Sequence, residues 1–363
     1  MIELVDLKAQ YLASKAAIDR RMQTVLEHGQ FIMGPEVAEL EQRLAAITGA
    51  RHCVTVSSGT DALLIALMAL GVGAGDEVIT SPFSFVAPAE AIVRLGATPV
   101  FCDIERDTCL LDAGLLEGLI TPRTRAVLPV SLYGQPCDMD AIDAVAARHG
   151  LVVVEDAAQS FGATYRGRPS CHLSTIGCTS FFPTKPLGCF GDGGALFTDD
   201  DALAQAARQI RVHGQSARYR HTRVGMNGRM DTLQCAVLLG KLERLTWELE
   251  RRRAVAERYD EALAGLGVAR VLTRPERASV FAQYTVFLEN RDAVAAALAE
   301  AGVATAIHYP TTLAEQPAYA QLTNDDLAGA RHVASRVLSL PLHPYLEPSL
   351  QDQVVEALAR ALG

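Results

Sequence analysis

The chain has 363 residues, of which 49% are hydrophobic and 21% charged, a profile typical of a globular protein with one large core or two coupled domains. Its net charge is −9 and its pI is about 5.5, so broad nucleic-acid binding is not expected, although a local arginine cluster could hold one or two phosphates. The first residues lack the basic start and apolar core of a secretory signal, and no apolar run reaches the roughly 20 residues of a membrane span. Eight scattered cysteines without a CxxC pair favour reduced thiols over a disulfide framework or a zinc site. We therefore expect a cytoplasmic protein without a membrane, nucleic-acid or metal partner.

Up to about residue 230, short apolar runs alternate with helical segments. Val37, Leu40, Leu44 and Ile47 repeat at helical spacing before Gly49, which predicts the first helix of this series. Further helical segments are predicted at 61–70, 86–95, 114–120 and 141–148, and strands at 53–56, 77–80, 98–102, 125–130, 151–155 and 195–198. Alternation of this kind predicts an α/β domain whose large, mostly parallel sheet is covered on both faces.

Beyond residue 230 the pattern changes. Residues 233–259 contain no proline and only Gly240 as an interior break, which predicts one long helix. A strand at 280–288 and helices near 292–301 and 350–362 follow. We predict a large α/β domain at 1–244 and a smaller C-terminal α+β domain at 245–363.

The glycine-rich stretch from Gly71 to Gly75 superficially resembles a dinucleotide-binding loop. It follows a predicted helix and precedes a predicted strand, which reverses the strand–loop–helix order that directs backbone amides at a pyrophosphate. This order indicates a simple connection and weakens the alternative of a nicotinamide-dependent oxidoreductase.

Three other features carry chemistry. Ser58, Gly59 and Thr60 lie between a strand and a helix, where they form either a phosphate-binding helix N-terminus or an ordinary N-cap. Asp156 ends an apolar strand and could bind a metal, a ribose or a protonated ring nitrogen. Lys185 lies in an apolar segment, where burial would lower its pKa and make its amine nucleophilic, unless the side chain reaches the surface. Together the three are the anchors that pyridoxal phosphate requires.

Several motifs in the same order resemble those of the DegT-type sugar aminotransferases, within the fold-type-I superfamily of pyridoxal-phosphate enzymes. They are Ser58-Gly-Thr-Asp-Ala-Leu63, Asp156-Ala-Ala-Gln-Ser160, Ser180-Phe-Phe-Pro-Thr-Lys-Pro-Leu-Gly188, Gly191-Asp-Gly-Gly194 and His308-Tyr-Pro310. The resemblance covers nearly the whole chain and implies a pyridoxal-phosphate-dependent aminotransferase.

Carried over position by position, the resemblance assigns four residues to the cofactor's ring and aldehyde. It implies Lys185 as the lysine that forms the Schiff base and Asp156 as the partner of the ring nitrogen. Gln159 would bind the ring hydroxyl, and Phe85 would stack on the ring face. Thr184 stands where the family usually has serine, so the hydroxyl is kept.

The resemblance also implies where the cofactor's phosphate is held. Gly59, Thr60 and Ser180 would bind it within one subunit. Asn227 would reach the phosphate of the neighbouring subunit, which implies a homodimer with shared active sites.

The implied substrate is a nucleotide-linked keto-sugar, best matched by UDP-2-acetamido-2-deoxy-3-oxo-glucuronate, aminated with glutamate during lipopolysaccharide O-antigen synthesis. Arg229 could bind a substrate carboxylate, and His308 and Tyr309 could contact the sugar or its diphosphate. Two alternatives remain open: a different UDP- or dTDP-linked 3-keto or 4-keto sugar, and a pyridoxal-phosphate-binding protein that regulates and does not catalyse.

Overall fold

The computed structural model describes residues 1–319, 321–322 and 326–363. The helices in these ranges are α1 (Leu7–His28), α2 (Pro35–Thr48), α3 (Gly59–Ala69), α4 (Ala87–Arg94), α5 (Met139–His149), α6 (Asp201–Ile210), α7 (Thr232–Leu242), α8 (Leu245–Ala264), α9 (Arg291–Glu300), α10 (Ala328–Ala334) and α11 (Pro348–Leu362). Local sequence sets several ends: Pro35 begins α2, and Gly49 ends it with a φ of 78°, a left-handed conformation that glycine adopts without strain. The segment predicted as helical at 114–120 is a 3₁₀ helix, Ala113–Leu119.

The strands are β1 (His52–Val56), β2 (Glu77–Thr80), β3 (Thr98–Phe101), β4 (Thr124–Leu128), β5 (Val152–Asp156), β6 (Thr164–Tyr165), β7 (Arg168–Pro169), β8 (Ile176–Ser180), β9 (Gly194–Thr198), β10 (Gln215–Ala217), β11 (Arg220–His221), β12 (Ala269–Arg270), β13 (Arg277–Ala278), β14 (Tyr284–Phe287) and β15 (Val337–Leu340). Seven of them form one sheet in the order β1-β9-β8-β5-β4-β2-β3. Only β9 runs against its neighbours, because β1 and β8 both pair with it in antiparallel register. The predicted α/β architecture with a mostly parallel sheet is confirmed.

Two apolar clusters cover this sheet. One joins the sheet to α3, α4 and α5, and within it most side chains of α3 are buried. The other joins β1, β9 and the loop between β8 and β9 to α2 and α7. Burial on both faces explains why these strands are continuous apolar runs and lack an alternating pattern.

A third apolar cluster lies in the C-terminal part of the chain. It joins α8, α9 and α11 to the three-stranded sheet β12-β14-β15. Leu313, Ala314, Tyr319, Leu327 and the buried apolar residues of α10 belong instead to the cluster of the large sheet. A separate third core supports a small C-terminal domain, but the boundary between residues 244 and 245 stays a prediction.

The expectation of one helix over 233–259 is wrong. The helix is interrupted between α7 and α8. At this point Arg244 has a φ of −113°, and its N–H donates to the carbonyl of Lys241, three residues before it. The two helices have different surroundings: nearly every side chain of α7 is buried, whereas α8 buries one face and exposes many charged residues. The break lets each helix pack against its own core. The strand expected at 280–288 is also shorter, since only Tyr284–Phe287 pairs as β14.

All eight cysteines are buried and none forms a disulfide, as predicted. Within the described ranges, no group of side chains is arranged to hold a metal ion. No helix of the described residues combines the length and hydrophobicity needed to cross a bilayer.

Candidate active site

The site lies at the carboxyl edge of the large sheet. Strands β1, β5 and β8 run in the same direction, so the residues that follow or end them meet at this edge. Ser58 and α3 follow β1, Asp156 ends β5, and Ser180 ends β8. The fold therefore brings the three segments that the sequence singled out to the same end of the sheet.

The N-terminus of α3 is built against the end of β8. The Ser58 hydroxyl accepts the N–H of Asp61 at 3.0 Å, so this serine does act as an N-cap. The Asp61 carboxylate accepts a hydrogen bond from the Ser57 hydroxyl. A Cβ on Gly59 would lie 2.5 Å from the Cβ of Ser180, so only glycine fits there without displacing Ser180. Thr60 is partly exposed beside it.

Asp156 is buried at the end of β5. One carboxylate oxygen accepts the N–H of Ala158 at 3.0 Å, and among the described residues no donor contacts the other oxygen. Burial raises the pKa of Asp156 to about 6, while the Ala158 hydrogen bond and the charge of Lys185 oppose that shift. The free oxygen can therefore accept a hydrogen bond from a bound ligand.

Lys185 lies near Asp156, on the loop that connects β8 to β9. Its backbone N–H donates to the Phe182 carbonyl at 2.9 Å, while its amine has neither a hydrogen bond nor an ion pair with any described residue. Burial lowers the pKa of Lys185, and the charge of Asp156 opposes this effect. A lysine amine with a lowered pKa and no partner is suited to nucleophilic attack on a carbonyl.

Gln159, His308 and Tyr309 are close to this pair. The side-chain amide nitrogen of Gln159 is 3.5 Å from the Tyr309 hydroxyl. Burial lowers the pKa of His308, and the charge of Lys185 adds to the shift. Burial raises the pKa of Tyr309, and the charge of Asp156 raises it further. The Phe85 ring is exposed and lies 6.4 Å from the ring of Tyr309.

Tyr133 is a site residue that the sequence did not reveal. Its backbone N–H donates to the side-chain oxygen of Gln159 at 2.9 Å, and its hydroxyl donates to the carbonyl of His308. It thereby links the loop after β4 to the segment around His308. The only available signal was its position five residues after β4, a strand that ends at this same edge.

Asn227 and Arg229 are not joined to this cluster. Asn227 is exposed and pairs with Val212 in an isolated bridge. Arg229 is half-buried, and its Nε is buried without a hydrogen-bond partner among the described residues. Neither has a hydrogen bond or ion pair to Asp156 or Lys185 within the described chain.

The sequence pattern of the DegT/DnrJ/EryC1/StrS aminotransferase family matches residues 13–359. The chain belongs to this family. It is 56% identical to UDP-2-acetamido-2-deoxy-3-oxo-D-glucuronate aminotransferase from Pseudomonas aeruginosa over 358 residues, which cover 99% of each chain. The aminotransferase fold extends over the whole molecule: the crystal structure of DesV from S. venezuelae superimposes with a TM-score of 0.97 at 43% identity, covering 99% of this chain and 98% of that one.

Another family structure identifies the cofactor. NtdA from Bacillus subtilis, solved with the cofactor PMP bound, has a TM-score of 0.91 and 32% identity, covering 96% of this chain and 82% of NtdA. PMP is the aminated form of pyridoxal phosphate. This DegT-family chain is therefore a pyridoxal-phosphate-dependent sugar aminotransferase of fold type I.

Proposed function

We propose that this aminotransferase converts UDP-2-acetamido-2-deoxy-3-oxo-glucuronate to its 3-amino sugar, with glutamate as the amino donor. The observation that carries the proposal is the 56% identity to the Pseudomonas aeruginosa enzyme of that name, which extends over 99% of both chains. The alignment extends over nearly all of both chains, so the similarity includes the segments that form the site. The reaction would serve lipopolysaccharide O-antigen synthesis in the cytoplasm.

The residues at the carboxyl edge fit pyridoxal phosphate, which supplies an aldehyde for capturing an amine and a ring that accepts electrons. Lys185 would provide the amine to which the cofactor is attached, since this amine has no other partner. The same amine would then transfer the proton. Asp156 would hold the protonated ring nitrogen through its free oxygen. Gln159 would bind the ring hydroxyl, and the exposed ring of Phe85 would cover the cofactor face.

The close approach of α3 to β8 would form the phosphate-binding site. Because Gly59 lacks a Cβ, the N-terminus of α3 approaches Ser180 closely, and its backbone N–H groups and the Ser180 hydroxyl would bind the phosphate together. Thr60 would add a second hydroxyl. The positive end of the α3 dipole favours an anion at this position.

Arg229 would bind the carboxylate of the uronic acid, of glutamate, or of both in turn. Its guanidinium has no acidic partner among the described residues, and its buried Nε lacks a hydrogen bond. A carboxylate that binds in the fork of a guanidinium would satisfy that donor. His308 and Tyr309, beside Lys185 and Asp156, would contact the sugar or its diphosphate.

A homodimer with shared sites would bring Asn227 and Arg229 to the site of the second copy. Support comes from apolar side chains exposed on the single chain: Phe31, Ile32 and Met33 expose 46%, 54% and 41% of their surface. Phe182, on the Lys185 loop, is also exposed. Exposed apolar groups of this kind mark a surface that another protein covers.

The substrate proposal is tested with purified holoenzyme, glutamate, and a panel of UDP- and dTDP-linked 3-keto and 4-keto sugars. The 3-oxo uronic acid is expected to have the highest kcat/KM, and the Arg229→Met variant should lose a factor of about ten to a thousand with this sugar. The glutamate half-reaction is measured separately, because Arg229 could bind both substrates. Faster amination of a neutral keto-sugar would leave the enzyme class intact and refute the substrate. Failure of glutamate to aminate the cofactor in wild type would refute the donor.

A further inference from the structure

The loop that carries Lys185 is closed by its own backbone. Besides the hydrogen bond at Lys185, the Cys189 N–H donates to the Phe181 carbonyl at 2.8 Å. The turn is tight, because a Cβ on Gly188 would lie 2.4 Å from the Pro183 carbonyl oxygen. The carbonyl of Gly188 is bonded from outside the loop by a side chain.

That side chain is Lys241 of α7. Its amine donates to the Gly188 carbonyl at 2.5 Å and to the side-chain oxygen of Gln10 at 2.9 Å, and it lies 4.8 Å from the ring centre of Phe190. Lys241 is 3% exposed, and no carboxylate of a described residue is within 4.0 Å of its amine. Burying an ammonium group mainly among neutral groups is energetically unfavourable, because the charge loses its hydration without a direct ion pair.

Gln10 of α1 links the Lys241 amine to a carboxylate, that of Glu248. The Gln10 amide nitrogen donates to one oxygen of Glu248 at 2.8 Å, and Tyr345 donates to the other at 2.7 Å. Burial lowers the pKa of Lys241 to about 8, and Glu248 opposes the shift, so the amine remains largely protonated at neutral pH. Helices α1, α7 and α8 and the segment before α11 thus converge on one carbonyl of the Lys185 loop.

Stability alone gives no reason for a lysine here. Replacing a buried charged network as a whole by apolar side chains of similar volume is often neutral or stabilising. On α7 itself the side chains next to Lys241 are apolar, and Leu238, Leu239 and Leu242 are all buried. An apolar side chain, however, cannot donate a hydrogen bond to the carbonyl of Gly188.

We propose that Lys241 is a positioning residue, which fixes the Lys185 loop through the Gly188 carbonyl and so places the Lys185 amine for proton transfer. The inference rests on the proposed role of Lys185. The Lys241 amine bonds the Gly188 carbonyl and Gln10 and has no hydrogen bond or ion pair with Lys185 or Asp156, so it acts only through the loop.

The test is the Lys241→Met variant, studied as holoenzyme by hydrogen–deuterium exchange and steady-state kinetics. The amides of Lys185 and Cys189 should exchange about tenfold faster, because their protection depends on the closed loop. The kcat should fall about ten- to a hundredfold, since misplacing a reacting group by about 1 Å has effects of that size. The KM for the amino donor should change by less than about twofold, because loop position affects proton transfer more than donor binding.

The matched control is Arg291→Met. Arg291 is also a buried cation that donates to a backbone carbonyl, that of Ala334, but it lies in α9 and away from the site. This variant should exchange faster around residue 334 and keep its kcat and its protection at 181–189. A fall in kcat of similar size in both variants would mean a general loss of stability and would overturn the proposal.

Lys241→Gln provides a milder variant if the methionine form folds poorly, since its amide can still donate but is one bond shorter. Its loop exchange and kcat should lie between wild type and Lys241→Met. Unchanged exchange and unchanged kcat in either folded variant would refute the role of Lys241. Borohydride reduction of wild type with peptide mapping tests Lys185 separately: cofactor attached elsewhere would refute the Lys185 role and leave the exchange result standing.

Discussion

Glu155 and Asp156 are consecutive on β5 and therefore face opposite sides of the strand. Asp156 faces the site, whereas Glu155 is completely buried and accepts the Ser170 hydroxyl at 2.6 Å and the Cys171 N–H at 3.0 Å. Burial raises the pKa of Glu155 to about 7, the hydrogen bonds from Ser170 and the backbone oppose it, and the Asp156 charge adds to it. The two adjacent carboxyl groups therefore have different surroundings, and only that of Asp156 is available to a ligand.

This raised pKa predicts how the cofactor-free protein responds to pH. Between pH 4.5 and about 7 the folded state keeps a proton on Glu155 that the unfolded state has lost. Stability contributed by this group is present below pH 4.5 and disappears as the pH rises to 7, by about 3 kcal/mol. Asp156 has the same sign between pH 3.8 and about 6. In Glu155→Gln the urea midpoint should therefore fall less steeply between pH 5 and 7.

The exposed Glu257→Gln on α8 is the control, and its slope should match that of wild type. The slope is the relevant quantity, since the amide of Glu155→Gln cannot accept both hydrogen bonds and will lower stability at every pH. Parallel pH curves for wild type and Glu155→Gln would contradict the prediction.

At this scale the sequence was informative where a residue ends a recognisable strand or interrupts an apolar run, as Asp156 and Lys185 do. Tyr133 was not predicted, because its place in the site depends on a backbone conformation with a φ of 58° and on hydrogen bonds to residues 26 and 175 positions away. No local pattern encodes contacts of that range.

The packing of α3 against β8 predicts the effect of a single methyl group. In Gly59→Ala, the new Cβ at 2.5 Å from Ser180 must push α3 and β8 apart. Overpacking of this size typically costs about 1–3 kcal/mol, which should appear as a cofactor affinity about ten- to a hundredfold weaker. Equilibrium dialysis of pyridoxal phosphate measures it.

Gly118→Ala is the matched control. A Cβ at Gly118 meets no atom within 4 Å, and its φ lies outside the left-handed region. Cofactor affinity should not change in this variant. Equal affinity in the Gly59 variant would mean that the α3–β8 contact does not shape the phosphate site.

Strand β8, which contains a glycine and two hydroxyl residues, was missed at the level of sequence, whereas the other six strands of the large sheet were predictable from clear apolar runs. The break between α7 and α8 was not, since it contains neither glycine nor proline and follows from a change of packing partner. The long α1 and the short α6 were also not predicted, although the Asp200 side chain caps α6 twice.

For the molecule as a whole, shared active sites predict complementation between inactive variants. Lys185→Ala and Asn227→Ala, coexpressed with different tags, should recover about a quarter of wild-type activity. Half of the dimers are then mixed, and each mixed dimer has one intact site. The measurement is the activity of the whole dimer mixture before the tags are used for separation, and the isolated doubly tagged dimers should have about half of wild-type activity.

The control pair is Lys185→Ala with Asp156→Asn, two residues that would serve the same subunit's site. Their mixed dimers contain no intact site and should stay inactive. Recovery in this pair, or full activity from a species that sediments as a monomer, would refute shared sites.

What the sequence could not predict at this scale is how the C-terminal third divides between two cores. Leu313, Ala314, Tyr319 and the buried apolar residues of α10 return to the cluster of the large sheet, while β14, β15 and α11 belong to the third cluster. Both segments are apolar, and apolar character alone does not specify which core a segment packs into.

The reactivity of the eight buried, unpaired thiols can report which part of the molecule unfolds. Burial blocks reagents from the sulfur atoms and raises the pKa of the thiols, for instance that of Cys189 to about 11, so the native protein should be silent towards aqueous maleimide. Each thiol that does react then marks a region that has come apart, and its position can be read by mass spectrometry. Cys189 belongs to the loop clamped by Lys241, whereas Cys102 and Cys109 belong to the core of the large sheet. Pulse alkylation would thus time the release of the loop against the melting of the core, with no label engineered into the chain.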